Sequence, residues 1–286
     1  MPAKPFIRTL RAQWLGQQLR TLREERGMNL KMVAEHLGRD LSALARYERA
    51  DWPIQRTDVV ALLDLYGLHR AADRARLLNL AEEVWRTDRW NDDYGDVVDS
   101  SFIDFPWLES RAESICSYHA AVVPGLFQLR EYAELVIRCA TGSIDPAGPM
   151  SRDIELRMDR QTILDGPKRP RIEVVIDETA LRRRVGGPEL MRRQLQHINE
   201  IGRRSQVEVR VLPSGVLHPG IDGSLWLFKM PAPYPEVGCL ETLVGPMYFE
   251  MPKAARFRHA YHGVREAALN PRESAQLIAT IAEELS

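Results

Sequence analysis

Between Leu10 and Leu68 apolar residues return every three to four positions, with breaks at Gly27, Gly38, Pro53 and Gly67, which predicts four short helices in under 60 residues. A fifth helical stretch, RAADRARLLNLAEEVWR, carries the pattern to about Arg86. The segment TDRWNDDYGDVVDSSFIDFPW (87–107) is acidic and aromatic with weak periodicity, so the connection between two domains, 1–86 and 87–286, is placed within it. Further on, LESRAESICSYHA and LFQLREYAELVIRCA read as helices joined by a turn at Pro124-Gly125, TGSIDPAGP (141–149) as a loop, and MSRDIELRMDRQTIL as another helix. RIEVVID is short and β-branched and reads as a strand. GPELMRRQLQHINEIGRR opens with Pro188 and carries an apolar stripe of Leu190, Leu195, Ile198 and Ile201. VEVRVLP, SLWLFKM, VGCLETLV and PMYFEM supply four more strands, and helices from Pro252 and Pro271 follow. The expected class is therefore α + (α+β): an N-terminal five-helix domain, then a larger α+β domain with a small sheet.

A chain of 286 residues is long enough for two cores, consistent with that division. The formal net charge of −1 excludes a uniformly basic surface, but the charge is segregated. Residues 1–70 hold 12 Lys and Arg against 8 Asp and Glu, whereas residues 83–113 hold 3 against 9. A nucleic-acid contact is thus expected near the amino end. Cys116, Cys139 and Cys239 are scattered, with no CxxC, which suits a reducing compartment, and the cytoplasm is the expected location. No apolar run reaches the roughly 18 residues of a membrane span, and no membrane partner is expected.

The stretch NLKMVAEHLGRDLSALARYERADW (29–52) holds two short helices around one glycine. A helix that enters a major groove must be short and bare on its outer side, with a few apolar residues holding it to its domain. Asp40 is expected to cap the second of these helices, with Leu44 and Tyr47 turned inward. Leu41, Ser42, Ala43 and Arg46 are then left outward, with Arg46 able to fork onto a guanine. Met32 or Val33, Ala34 and Leu37 are the inward residues of the preceding helix. Arg39, Arg49 and Arg56 suit phosphate contacts as a cluster, although singly each also reads as a solvated charge. Asn29 and Lys31, at the start of the first helix, complete the DNA-facing set.

Leu15 to Leu68, with LRxLRxxxG, Ala34, Leu37-Gly38 and xYE before a closing helix, resembles the lambda-repressor-like XRE helix-turn-helix domain. The resemblance implies that Arg23, late in the first helix, pairs with Glu48 at the end of the recognition helix as a structural link, and that Leu41, Ser42 and Arg46 occupy base-reading positions. Two positions depart from the pattern: Leu30 stands where glutamine is frequent, and Ala50 where glycine is usual. The blocks WLESRAESICSYHAAVVPGLFQLREYAELVIR, RQTIL, DETALRRRVGGPELMRRQLQHI, VEVRVLPSGVLHPGIDGSLWLFKMP and CLETL resemble the carboxy-terminal domain of actinobacterial WhiJ-like, antitoxin-like regulators. That resemblance implies a transcription regulator paired with a very small partner protein.

No catalytic, metal or cofactor site is read from the second half. His259 and His262 have helical metal spacing but no further ligand to complete a site. PSGVLHPGIDG lacks the strand-to-helix setting of a phosphate loop and reads as a β-hairpin loop, and Ser214 with His218 in it makes no triad. The same loop, with His218, precedes Trp226 and Phe228, a set suited to a partner-binding or ligand-binding lip unless the two aromatics are core. The five arginines of ETALRRRVGGPELMRRQ suit an acidic partner or the acidic 87–104 segment. The function expected is sequence-specific binding of an operator in double-stranded DNA by a homodimeric regulator, in the sense of a repressor, modulated by a small partner protein or small-molecule effector. The alternative is an antitoxin-like module that mainly sequesters a small partner, its DNA binding only autoregulatory.

Overall fold

A computed structural model describes residues 6, 8–85, 102–141, 149–166, 169–220, 223–232, 234–243 and 245–285. Of the loop expected at 141–149, residues 142–148 lie outside the described residues while 141 and 149 belong to helices, and most of the connection expected at 87–107 lies outside them as well. The backbone forms two compact units, Met1–Gly95 and Asp96–Ser286.

The first unit is built of five helices: α1 (Leu10–Glu25), α2 (Leu30–Leu37), α3 (Leu41–Glu48), α4 (Arg56–Leu65) and α5 (Ala71–Trp85). The Thr9 hydroxyl accepts from the Ala12 amide and the Asn29 side chain from the Met32 amide, satisfying otherwise unpaired donors at the starts of α1 and α2. Gly38 ends α2 in the left-handed conformation, at φ 59°. The core collects Leu15, Leu19, Val33, Leu44, Leu62 and Leu63. Helices α1 and α3 approach so closely that a Cβ on Gly16 would stand 2.6 Å from the Glu48 carbonyl oxygen and 2.8 Å from that of Tyr47.

The second unit is an α+β domain around one six-stranded mixed sheet in the order β3-β2-β1-β4-β5-β6. Its strands are β1 (Ser114–His119), β2 (Arg171–Asp177), β3 (Val207–Leu212), β4 (Leu225–Lys229), β5 (Val237–Thr242) and β6 (Gly245–Phe249). β1, β2 and β3 are parallel, and β4, β5 and β6 continue antiparallel from β1. The helices are α6 (Asp104–Arg111), α7 (Arg130–Thr141), α8 (Pro149–Arg160), the short α9 (Glu178–Arg182), α10 (Pro188–Ile201), α11 (Ala254–Ala267) and α12 (Pro271–Glu283). Helix α11 covers one sheet face, where Tyr261 and Val264 pack with Tyr118, Val175, Leu212 and Leu225.

Three local expectations are corrected. LESRAESICSYHA is not one helix: α6 stops at Arg111, and Ser114–His119 is a central strand hydrogen-bonded on both sides. A strand covered on both faces lacks the simple apolar and polar alternation that marks a half-exposed one. LFQLREYAELVIRCA becomes an α-helix only at Arg130, after a 3₁₀ turn at Gly125–Phe127. The 213–223 segment is no hairpin, because β3 and β4 are not neighbours and the chain crosses from the outer edge of the parallel half to the strand beside β1.

Candidate nucleic-acid interface

Helices α2 and α3 meet across the Gly38-Arg39-Asp40 turn, and the residues that hold them are short and apolar: Val33 and Ala34 on α2, Leu44 and Tyr47 on α3. Leu37 is half-buried, while Met32 is 53% exposed and belongs to the outer surface instead of the core. Asp40 occupies the N-cap position of α3, but its side chain makes no capping hydrogen bond; its charge still suits the positive end of the helix.

The outer side of α3 presents Leu41, 50% exposed, with Ser42 also exposed and Ala43 half-buried. An exposed leucine at the first turn is suited to the methyl group of a thymine, and a serine hydroxyl both donates and accepts. Arg46 lies back along the helix: its Nε donates to the Ser42 carbonyl at 3.3 Å and its guanidinium rests over the exposed Trp52 ring, 4.9 Å from the centroid. Among the described residues it has no acidic partner within ion-pair distance. The other three arginines do. Arg39 pairs with Asp58 at 3.2 Å, Arg49 with Asp51 at 2.7 Å and Arg56 with Glu82 at 2.9 Å.

These pairs differ in kind. Arg49–Asp51 and Arg56–Glu82 are solvated, and such pairs are each worth about 0–1 kcal/mol, so a phosphate can replace the carboxylate at small cost. Arg39 reaches a buried carboxylate that also accepts from the Tyr47 hydroxyl at 3.5 Å, and its pKa is raised by that hydrogen bond to Asp58. It ties the turn to α4. Asn29 caps α2 with its side-chain oxygen, and Lys31 is exposed on the first turn of the same helix.

The position of α3 is set from beneath. Arg23 donates through Nε to Glu48 Oε1 at 2.6 Å and through a terminal nitrogen to Oε2 at 2.9 Å, with a further bond to the Met28 carbonyl at 2.8 Å. The hydrogen bond to Glu48 raises the Arg23 pKa against the opposing effect of burial. Beyond α3 the chain turns at Ala50 with φ 56°; the Ala50 amide donates to the Tyr47 carbonyl and the Asp51 amide to the Arg46 carbonyl. The alanine thus takes the left-handed conformation that glycine usually supplies in this helix-ending motif. Asp58, Gly16 and Trp52 all shape this surface and were not legible as functional positions: an acid one helix away, a glycine inside a helix and an aromatic after a turn carry no local signal of what they face.

In the second unit the residues expected to form one lip do not all share a sheet face. Trp226 pairs in register with Ser117 and stands edge-on to His119, on one sheet face. Phe228 is fully buried, and Phe105 packs edge-on against both it and Trp226. His218 lies against Tyr118, which faces α11 on the other side of the sheet. Of the five expected acceptors for an acidic partner, Arg182, Arg192 and Arg193 pair with Glu178 and Glu284, Glu189, and Glu131, and Arg183 donates to the Ala121 carbonyl.

Compared with known proteins, residues 14–77 match the family model of a helix-turn-helix domain, and residues 102–280 match that of a domain of unknown function (DUF5753), which covers more than half of the chain. No curated protein and no solved structure matches. A helix-turn-helix domain is a DNA-binding element of regulators, and the geometry above places its second helix with an open outer side. Among the described residues no helix is long and apolar enough to cross a membrane.

Proposed function

As the chain belongs to the family defined by the domain of unknown function DUF5753 and carries a helix-turn-helix domain ahead of it, we propose that it is a sequence-specific transcription regulator that acts as a repressor. The observation that carries this reading is the outer side of α3: Leu41 and Ser42 open to solvent, and Arg46 held on Trp52 with no carboxylate among the described residues to neutralise it. Leu41, Ser42 and Arg46 read base edges, while Lys31, Arg49 and Arg56 neutralise phosphates. Two copies bind two half-sites about one helical turn apart, since a single module of this kind buries only about 600–1,000 Å² on DNA. The lambda-repressor-like arrangement, XRE in type, is supported by the Arg23–Glu48 link beneath the recognition helix.

The carboxy-terminal unit is the sensing half in this reading, with no catalytic role. A ligand or small protein bound there shifts the population between DNA-competent and DNA-incompetent states, by no more than its difference in affinity for the two. A WhiJ-like, antitoxin-like variant of this reading, in which a very small partner is mainly sequestered, is favoured by one feature. The sheet ends at β6, and Leu243 and Met247 stand exposed on the β5–β6 hairpin, an open edge that a partner strand can extend. Loss of a stoichiometric small protein from the natively purified chain on Met247→Lys supports that variant, and purification without any such protein from its own cells counts against it.

The test of the main reading is a titration of duplexes selected from a random pool, read by fluorescence anisotropy at several salt concentrations. Arg46→Ala lowers discrimination at one base pair by about 1–3 kcal/mol, whereas Arg49→Ala or Arg56→Ala weakens all duplexes alike and reduces the salt slope by about 1. Selection that yields no preferred duplex contradicts it.

A further inference from the structure

The second unit is not close-packed throughout. Between the sheet face opposite α11 and helices α6, α7 and α8 lies a cavity of about 480 Å³. It is open to solvent on one side, and its volume falls in the ~300–1,000 Å³ range of small-molecule sites. We infer that it binds a small, largely apolar molecule bearing one anionic group, with the anion on Arg157 and the body against β1, β2 and Trp226.

The walls explain the apolar body. On β1 the alternation of side chains turns Ile115, Ser117 and His119 to the cavity, β2 adds Ile172 and Val174, and β4 adds Trp226. Phe105, from α6, and Leu156, from α8, line it as well. Within this surface Ser117 and His119 form a buried polar pair, Oγ to Nε2 at 3.1 Å. Among the described residues His119 makes no further hydrogen bond, so a ligand hydroxyl or carbonyl meets a directional partner there.

The charge argument rests on two arginines one turn apart on α8. Arg160 is closed: it donates to both oxygens of Glu109, at 2.7 and 2.8 Å, and its guanidinium stacks 5.0 Å from the Phe105 centroid. Arg157 is open. It donates to Gln128 Oε1 at 2.9 Å and makes no ion pair among the described residues. Gln128 is itself fixed, since its amide nitrogen donates to the Val123 carbonyl at 2.7 Å, so Arg157 is held in place with donors to spare. Three carboxylates share the lining: Glu109 on α6, which Arg160 closes, Asp153 on α8 and the exposed Glu241 on β5; among the described residues none of them is ion-paired with Arg157. Burial raises the Asp153 carboxyl above its ordinary value, against the opposing pull of Arg157. Burial, with Arg160 alongside, pulls the Arg157 guanidinium down to about 10; a partly dehydrated cation in that state gains from an incoming anion.

This site deepens the reading of the second unit as a sensor, but its test needs no DNA. The full chain is titrated with 1-anilinonaphthalene-8-sulfonate, an apolar monoanion, and separately with N-phenyl-1-naphthylamine, its uncharged counterpart, under conditions where the protein melts cooperatively. The expected result is saturable, stoichiometric binding of the sulfonate, about tenfold tighter than the neutral probe. Arg157→Gln removes that preference and leaves the neutral probe unaffected, Arg157→Lys retains part of it, and Val136→Trp, which fills the space from α7, abolishes both. Equal affinity of the folded protein for the two probes, or an unchanged preference in Arg157→Gln, overturns the anionic assignment. Absence of saturable binding of either probe overturns the site itself. None of these outcomes alters the DNA titrations of the Arg46 variants, so the two readings fail separately.

Discussion

Replacement of Glu48 by alanine perturbs the element on which the recognition helix depends. The two side chains are 10% and 7% exposed, so the pair is buried, and the change removes both hydrogen bonds between Arg23 and Glu48. Arg23 is left with the Met28 carbonyl and with Glu24, 3.3 Å away and half exposed. Breaking a buried pair by deleting one partner costs about 3–5 kcal/mol, because a charge stays inside without its counter-ion. The residual contacts to Glu24 and Met28 argue for the lower figure, about 3 kcal/mol. In a helical domain of this size that corresponds to a melting temperature lower by about 12–24 °C. Hydrogen exchange followed by mass spectrometry on the full chain isolates the effect: peptides from α1 and α3 lose about two decades of protection, while those from α10 and α12 keep theirs. The double variant Arg23→Ala/Glu48→Ala is destabilised by less than the sum of the single ones. A loss of less than about threefold in α1 and α3 would refute the role given to this link.

Three further outcomes follow from local geometry. Ala34→Gly, inside α2 and buried, costs about 2 kcal/mol from helix propensity and a lost methyl contact, whereas Ala50→Gly changes stability by less than about 1 kcal/mol because it relieves a left-handed alanine; denaturant titrations with equal losses at both sites contradict this. Gly16→Ala, despite the better helix former, destabilises by about 1–3 kcal/mol because the new Cβ meets two backbone carbonyls of α3, and a stabilised variant in thermal melts would show that the helices are not in close approach. His119 is held neutral by burial, its pKa lowered from 6.5 to about 3. Its contribution is intact above pH 6.5 and falls as the pH drops from there towards 3, by about 1.4 kcal/mol per pH unit, since only the unfolded chain takes up the proton in that window. His119→Gln should flatten this acid limb in denaturant titrations, and an unchanged slope would mean that burial does not hold the imidazole neutral.

The helical half was legible because its signals are local. Gly38 and the apolar spacing of Val33, Leu44 and Tyr47 each act within one or two turns, and α1 to α5 follow from them. Where a side chain's role depends on a distant partner the reading stopped short. Arg39 suits a phosphate contact by type and place, but its pairing with Asp58 on α4 is invisible in the local pattern, and Met32 is exposed because Val33 and Ala34 already fill the contact with α3. In the second unit β1 read as helix, since Cys116 and Tyr118 face α11 while Ser117 and His119 face the cavity, so neither face is uniformly polar. The cavity has no local signature either, because its walls come from residues over a hundred positions apart. Of the aromatic set read beside the 213–223 segment, Trp226 lines the cavity, whereas Phe228 points into packed core and His218 lies on the opposite face.

The measurement closest to the central claim is a hydroxyl-radical and dimethyl sulfate footprint of the full chain on a selected duplex, repeated with the Ser42→Asp/Arg46→Asp variant. Two protected patches in successive major grooves, about 34 Å apart and both absent in the variant, are the result that a dimer reading DNA through α3 produces. Protection that survives unchanged in the variant would place the DNA contact elsewhere on the molecule.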